Sequence, residues 1–225
     1  FSRPLGHPAQ AMIYDVTPPI TNRLKVWPGD TPPSREALLD MSRGDSITLS
    51  TLRATVHLGA HADAPSHYGA GAAAIDARSL DYYLGPCQLM RVAVGRGVRI
   101  APEMLPGVVR AERVLITTGT YPNPEEFNTD FAALSPELVE FMHRQGVKLI
   151  GVDTPSVDLF DSTDLPSHRM FLRCDMAILE GLVLKDVPEG LYELIALPLR
   201  LVGFDASPVR AVLRTPIGGA TRGAD

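Results

Sequence analysis

Residues 57–67 read HLGAHADAPSH and carry three of the chain's six histidines together with one aspartate. All four fall on odd-numbered positions: His57, His61, Asp63 and His67. Imidazole nitrogens with a carboxylate suit Zn²⁺ or another first-row divalent ion, and the lack of a nearby cysteine argues against a thiolate site. A carboxylate can bridge two ions, so Asp63 between histidines would suit a binuclear centre. Gly59 and Pro65 both oppose a helix interior. The stretch leading in, ITLSTLRATV (47–56), is rich in β-branched residues. The segment is therefore expected to be extended, with residues 57, 59, 61, 63, 65 and 67 on one face. Leu58, Ala60, Ala62, Ala64 and Ser66 would form a small, largely apolar back face. A row of individually hydrogen-bonded polar residues on a strand is the alternative; the alternate register of all four side chains favours metal binding.

Further ligands must come from elsewhere in the chain. His168 follows DLPS at the start of a predicted helix, a loop that could aim it into a cleft. Glu180 is a lone carboxylate in the apolar run AILEGL, where burial requires a partner, either an ion pair or a metal. Twelve residues correspond to about 120° of rotation on one unbroken helix. Convergence of His168 and Glu180 therefore requires the helix to end between them. His143 sits near the C-terminus of an amphipathic helix and reads as a surface residue. Asp153 and Asp158, in DTPSVD, could orient a ligand or simply order a loop, and an Asp-Thr-Pro turn explains them nearly as well. Trp27, the only tryptophan, fits either a substrate-contacting aromatic or a core residue. There is no GxSxG elbow, and Ser66 lies in the wrong context for a nucleophile.

These residues need a scaffold. Strands are predicted over 47–56, 87–94, 113–119, 147–153 and 191–202, with Pro198 marking a bulge or an edge in the last. SPELVEFMHRQG predicts a helix from Ser135 as N-cap and Pro136 at its first position to Gly146. A second helix is predicted over 167–179, capped by Ser167. Strands and helices intermix, and no GxGxxG opens a helix after a strand, so a dinucleotide-binding fold has little support. The fold class is α/β with a mixed, barrel-like sheet core and peripheral helices.

The chain has 225 residues, 45% hydrophobic and 21% charged, which fits one globular domain over 12–225. Residues 1–11, with His7, lack periodicity and read as a disordered tail or an appended remnant. A net charge of −5 without a Lys/Arg cluster gives no footprint for nucleic acid. No apolar run approaches the roughly 20 residues of a membrane span, and no secretory signal is evident. Cys87 and Cys174, far apart, read as reduced thiols, and the expected location is the cytoplasm.

The motif HLGAHADAPSHY resembles the HxGxHxDxPxH signature of the cyclase-like metal-dependent hydrolases, and within them the bacterial kynurenine formamidase (arylformamidase) group. VWPGDTP (26–32), GVDTPSVD (151–158), LPSHRMFLRCDMAILEGL (165–182) and GFDASPVRAVL (203–213) are similar to further blocks of that family. The resemblance covers Met12 to near the C-terminus. It implies the swivelling β/β/α fold, a homodimer or higher oligomer, and two Zn²⁺ per subunit, with Mn²⁺ as an alternative. It assigns His57, His61 and Asp63 to the first ion and His168 to the second, with Asp63 and Glu180 shared. It assigns His67 as catalytic acid/base and Trp27 as substrate-binding. The implied activity is hydrolysis of a small formamide, N-formyl-L-kynurenine, to L-kynurenine and formate by a metal-activated hydroxide. An isatin-type hydrolase or another cyclase-like amidase shares these features, and a non-catalytic metal-binding protein is the rival of another class.

Overall fold

The computed structural model describes residues 11–216; the tail predicted over residues 1–11 lies, apart from Ala11, outside the described residues. The strands and helices in chain order are β1 (Ile13–Asp15), β2 (Ser34–Leu39), β3 (Leu49–Arg53), β4 (His61–Asp63), α1 (Pro65–Tyr68), β5 (Leu84–Arg91), β6 (Arg99–Ile100), β7 (Arg113–Thr117), β8 (Ala133–Leu134), α2 (Pro136–Arg144), β9 (Leu149–Val152), α3 (Pro166–Cys174), β10 (Ala177–Glu180), β11 (Gly190–Ile195), β12 (Ala206–Pro208) and β13 (Val212–Arg214). Among the described residues, nine strands form one curled, half-barrel sheet in the order β1-β13-β11-β5-β7-β9-β10-β4-β12. The run β5-β7-β9-β10 is parallel and the remaining neighbours are antiparallel. This is the mixed, barrel-like core with peripheral helices that the sequence predicts.

Every residue of β7, β9 and β10 is buried, as expected for central strands covered on both faces. Alternation divides their side chains between two cores. Val114, Ile116, Ile150 and Ile178 meet Leu138, Met142 and Phe171 of α2 and α3. Leu115, Leu149, Ala177 and Leu179 face the opposite core with Ala60, Ala62, Ala64 and Tyr83. Each fully buried aliphatic side chain stabilises the fold by about 1.5–3 kcal/mol relative to exposure.

Helix α2 begins as predicted: Ser135 accepts from the Leu138 backbone N–H, Pro136 opens the first turn, and His143 is exposed in the last. Four expectations are corrected. The helix predicted over 167–179 ends at Cys174, because Asp175 turns left-handed (φ 50°) and residues 177–180 add to the sheet as β10. Ser167 lies inside that helix instead of capping it, and its hydroxyl donates to the Leu134 carbonyl at 2.7 Å. The strand predicted over 47–56 does not run into the histidine motif; β3 stops at Arg53 and pairs with β2 as an exposed ribbon outside the large sheet. Pro198 is neither bulge nor edge, since β11 ends at Ile195 before it.

Candidate metal centre and active site

Only residues 61–63 of the histidine motif form a strand. Gly59 is left-handed (φ 56°), so the chain bends between His57 and His61, and His67 rides on the short helix α1. The single extended face expected for residues 57–67 is thus replaced by a bend, a strand and a helical turn. The four side chains still converge, because the bend and the turn fold both ends back over β4. The apolar back face is present: Leu58, Ala60, Ala62 and Ala64 are all buried.

Sheet register brings the distant ligands in. β4 lies antiparallel between β10 and β12, with His61 opposite Glu180 and Asp63 opposite Ile178. Directly opposed residues share a face, so Glu180 falls beside His61 on the side that α3 covers. His168, in the first turn of α3, completes the group. The helix ends between His168 and Glu180, as their convergence required. At this edge Gly181 (φ 67°) passes so close to the Gly59 loop that a Cβ there would lie 2.2 Å from the Gly59 carbonyl oxygen. Only glycine fits this approach.

Asp63 is the centre of the arrangement. It is buried, and neither of its oxygens has a hydrogen-bond partner among the described residues. Around it stand His57 Nδ1 at 3.1 Å and His61 Nε2 at 3.5 Å from Oδ1, and His168 Nε2 at 3.6 Å from Oδ2. Glu180 reaches His61 Nε2 at 3.3 Å and His168 Nε2 at 3.7 Å, while its Oε1 accepts from the Val157 backbone N–H. Two buried carboxylates ringed by imidazoles would be costly without cations to neutralise them. The donor set, nitrogen and carboxylate oxygen without thiolate, fits Zn²⁺ or a similar divalent ion.

The outer nitrogen of each ringing imidazole is held by a protein acceptor, which turns the inner nitrogen toward Asp63. His61 Nδ1 lies 2.9 Å from the Gly59 carbonyl, which can only accept, so Nδ1 carries the proton. His168 Nδ1 donates to Asp158 at 2.8 Å, and His57 Nε2 donates to Asp205 at 2.9 Å. Backing of this kind fixes ring orientation at metal sites. Asp158 is fully buried and also accepts from the Ser167 and His168 backbone N–H groups and from Arg99 at 2.6 Å. Of the two roles open for Asp153 and Asp158, Asp158 orients the imidazole. Asp153 orders a loop, accepting from Thr117, Thr118 and Gly119. The sequence reading missed Asp205 altogether. Its Oδ2 also lies 3.5 Å from His67 Nδ1.

Charge within the protein follows this geometry. Burial presses the His57 imidazolium down, but Asp63 and Asp205 outweigh it and raise the group to about 9. His168 rises to about 10 in the same way, burial being overcome by Asp158 and Asp63. Asp63 is pushed up by burial yet held well below the usual carboxylate range by His168 and His57. His67 differs from the ringing imidazoles in standing partly open, its side chain 36% exposed. It and the ringing histidines line a cavity of about 560 Å³. Trp27, Tyr121 and Phe127 form an aromatic wall, and Trp27 packs on Phe160 with ring centres 5.0 Å apart. Trp27 is half-buried, with part of its surface turned to the cavity.

The Cyclase family profile matches residues 14–159. Kynurenine formamidase of Bordetella pertussis is 45% identical over 204 residues, covering 90% of this chain and 97% of the relative. A solved structure described as a potential metal-dependent hydrolase with cyclase activity has a TM-score of 0.81 at 28% identity, over 93% of this chain and 100% of that one. Isatin hydrolase A from Labrenzia aggregata has a TM-score of 0.79 at 20% identity, over 91% and 94% of the two chains, a likeness of fold alone.

Proposed function

The chain belongs to the Cyclase family, and from that premise we propose that it hydrolyses N-formyl-L-kynurenine to L-kynurenine and formate. The observation that carries the reading is the buried Asp63 carboxylate, free of hydrogen bonds and ringed by imidazoles beneath an aromatic wall. His57, His61 and Asp63 would hold one Zn²⁺; His168 would hold a second, with Asp63 and Glu180 shared. Such ions supply Lewis acidity, which polarises a carbonyl and acidifies water.

The chain's own residues do the rest. In the reaction a water oxygen joins the formyl carbon, the C–N bond breaks, and the aniline nitrogen takes up a proton. His67 is placed to move that proton: an imidazole both accepts and donates near neutral pH, and His67 opens onto the cavity beside His57, the ring centres 4.3 Å apart. Trp27, with Tyr121 and Phe127, offers flat apolar surface to the substrate's benzene ring. Gly59, Asp158 and Asp205 hold the three imidazoles so that nothing has to reorganise when charge develops at the formyl oxygen.

The free thiols Cys87 and Cys174 support a cytoplasmic location, and among the described residues no helix is long and apolar enough to cross a membrane. A homodimer is supported by the β2–β3 ribbon. An isolated two-stranded ribbon is marginal by itself, yet this one stands exposed with Leu38, Leu49 and Leu52 uncovered.

Protein purified without added metal tests the reading when its metal content is analysed and its turnover of N-formylkynurenine is followed against isatin. Retained zinc with turnover of the formamide is expected. Isatin turnover without formamide turnover would overturn the substrate assignment.

A further inference from the structure

The block GFDASPVRAVL contains a carboxylate, Asp205, that backs the His57 ring and also faces a second imidazole outside the metal-bearing set. Asp205 immediately precedes β12, and the register of β12 on β4 sets Ala206 opposite Asp63. The next backbone bond, from the Ala64 N–H to the Asp205 carbonyl at 2.8 Å, fixes Asp205 where β4 turns into α1. One oxygen of its side chain then faces two imidazoles, His57 Nε2 at 2.9 Å and His67 Nδ1 at 3.5 Å. The two rings lie 4.3 Å apart and tilted by 46°, so a single carboxylate oxygen spans both.

We infer that Asp205 is a positioning residue that ties a metal-bearing imidazole to the proton-carrying one. The inference rests on the formamidase reading and deepens it. A carboxylate oxygen can only accept, so contact with Asp205 assigns the proton of His57 to Nε2 and that of His67 to Nδ1. For His57 this leaves Nδ1, the atom beside Asp63, with its lone pair directed at the cation position. For His67 it makes Nε2 the atom that takes the water proton and later releases it to the aniline nitrogen. While His67 carries both protons it is an imidazolium, and the Asp205 carboxylate stabilises that charge next to the His57 ring. At 3.5 Å His67 Nδ1 stands just outside hydrogen-bond reach of Asp205, as catalytic pairs commonly do before substrate binds, and the inference requires this bond to close in the reacting complex. The Asp205 side chain is 47% exposed, so it can be altered without opening the core.

The test is a double-mutant cycle with Asp205→Asn, His67→Ala and the pair, each measured with saturating zinc. Alongside it, imidazole ¹H–¹⁵N spectra are taken of zinc-loaded wild type and Asp205→Asn. Asp205→Asn is expected to lower kcat about 10- to 100-fold, in line with the loss of a group that orients a working imidazole, with KM changed less than about threefold. The double variant is expected within about twofold of His67→Ala, since residues acting as a unit are not additive. In the spectra His67 is expected as the Nδ1–H tautomer in wild type and to lose that preference in Asp205→Asn. Multiplying effects in the double variant, or an unchanged His67 tautomer in Asp205→Asn, would overturn the inference. If wild type cleaves no aryl formamide, the functional reading fails, and the tautomer measurement alone decides the role of Asp205.

Discussion

Replacement of Asp158 by Asn changes little in shape and much in hydrogen bonding. One carboxylate oxygen faces Arg99 at 2.6 Å; the other faces the His168 backbone N–H at 3.0 Å and its Nδ1–H at 2.8 Å. Asparagine supplies only one accepting oxygen, so its amide must point donors at Arg99 or at His168, whichever way it turns. Losing one charge-assisted bond costs about 1.5–3 kcal/mol. Breaking a fully buried ion pair costs roughly 3–5 kcal/mol, but the Arg99 side chain is 25% exposed and water recovers part of that. A destabilisation of about 2–4 kcal/mol follows, which at this chain length lowers Tm by about 5–15 °C. The second consequence is specific to the metal centre. With His168 no longer held, zinc affinity should fall about 10- to 100-fold. The assay is chelator competition for zinc, run below the variant's unfolding midpoint with circular dichroism confirming the fold. A folded Asp158→Asn protein with wild-type zinc affinity would refute the claim that Asp158 holds His168 for a metal.

Other consequences are independent of that one. His67→Ala should lower kcat by about 10²- to 10⁴-fold while metal content, read by elemental analysis, stays at the wild-type level. Gly181→Ala should cost at least about 2 kcal/mol in a denaturant titration, because the left-handed backbone is strained by a side chain and the new Cβ strikes the Gly59 carbonyl that holds His61. With zinc chelated, Tm should fall as pH rises from about 7 to 10. His57 and His168 titrate in the folded protein at about 9 and about 10, above the unfolded value near 6.5. Their contribution is therefore complete below about pH 6.5 and lost as pH passes through those values. A midpoint that is flat or rises over that range, measured by differential scanning fluorimetry, would contradict the charge assignment.

The histidine motif shows how far local sequence reaches. Residue types in HLGAHADAPSH point to a divalent cation, and His57, His61 and Asp63 do converge. Alternation is the wrong reason for it, because Gly59 bends the chain and α1 turns it, so proximity arises from irregular backbone. His168 and Glu180 were legible as types, and the need to end the helix between them was legible too. The position of that end was not: Ala177, Ile178 and Leu179 suit a helix or a buried strand equally, and the register with β4 and β9 decides. Asp158 carried a local hint in DTPSVD. Asp205 carried none, since its role exists only through the pairing of β12 with β4, more than a hundred residues apart in the chain. The block in which it sits, GFDASPVRAVL, was the one available signal.

The central claim is that the carboxylates and imidazoles around Asp63 work as a two-ion hydrolytic centre. It is tested most directly by stripping the protein with a chelator and titrating zinc back while kynurenine formation from N-formylkynurenine is followed by absorbance. The account predicts negligible turnover without metal and a rise that saturates at two zinc ions per chain. Undiminished turnover in the stripped protein would contradict it.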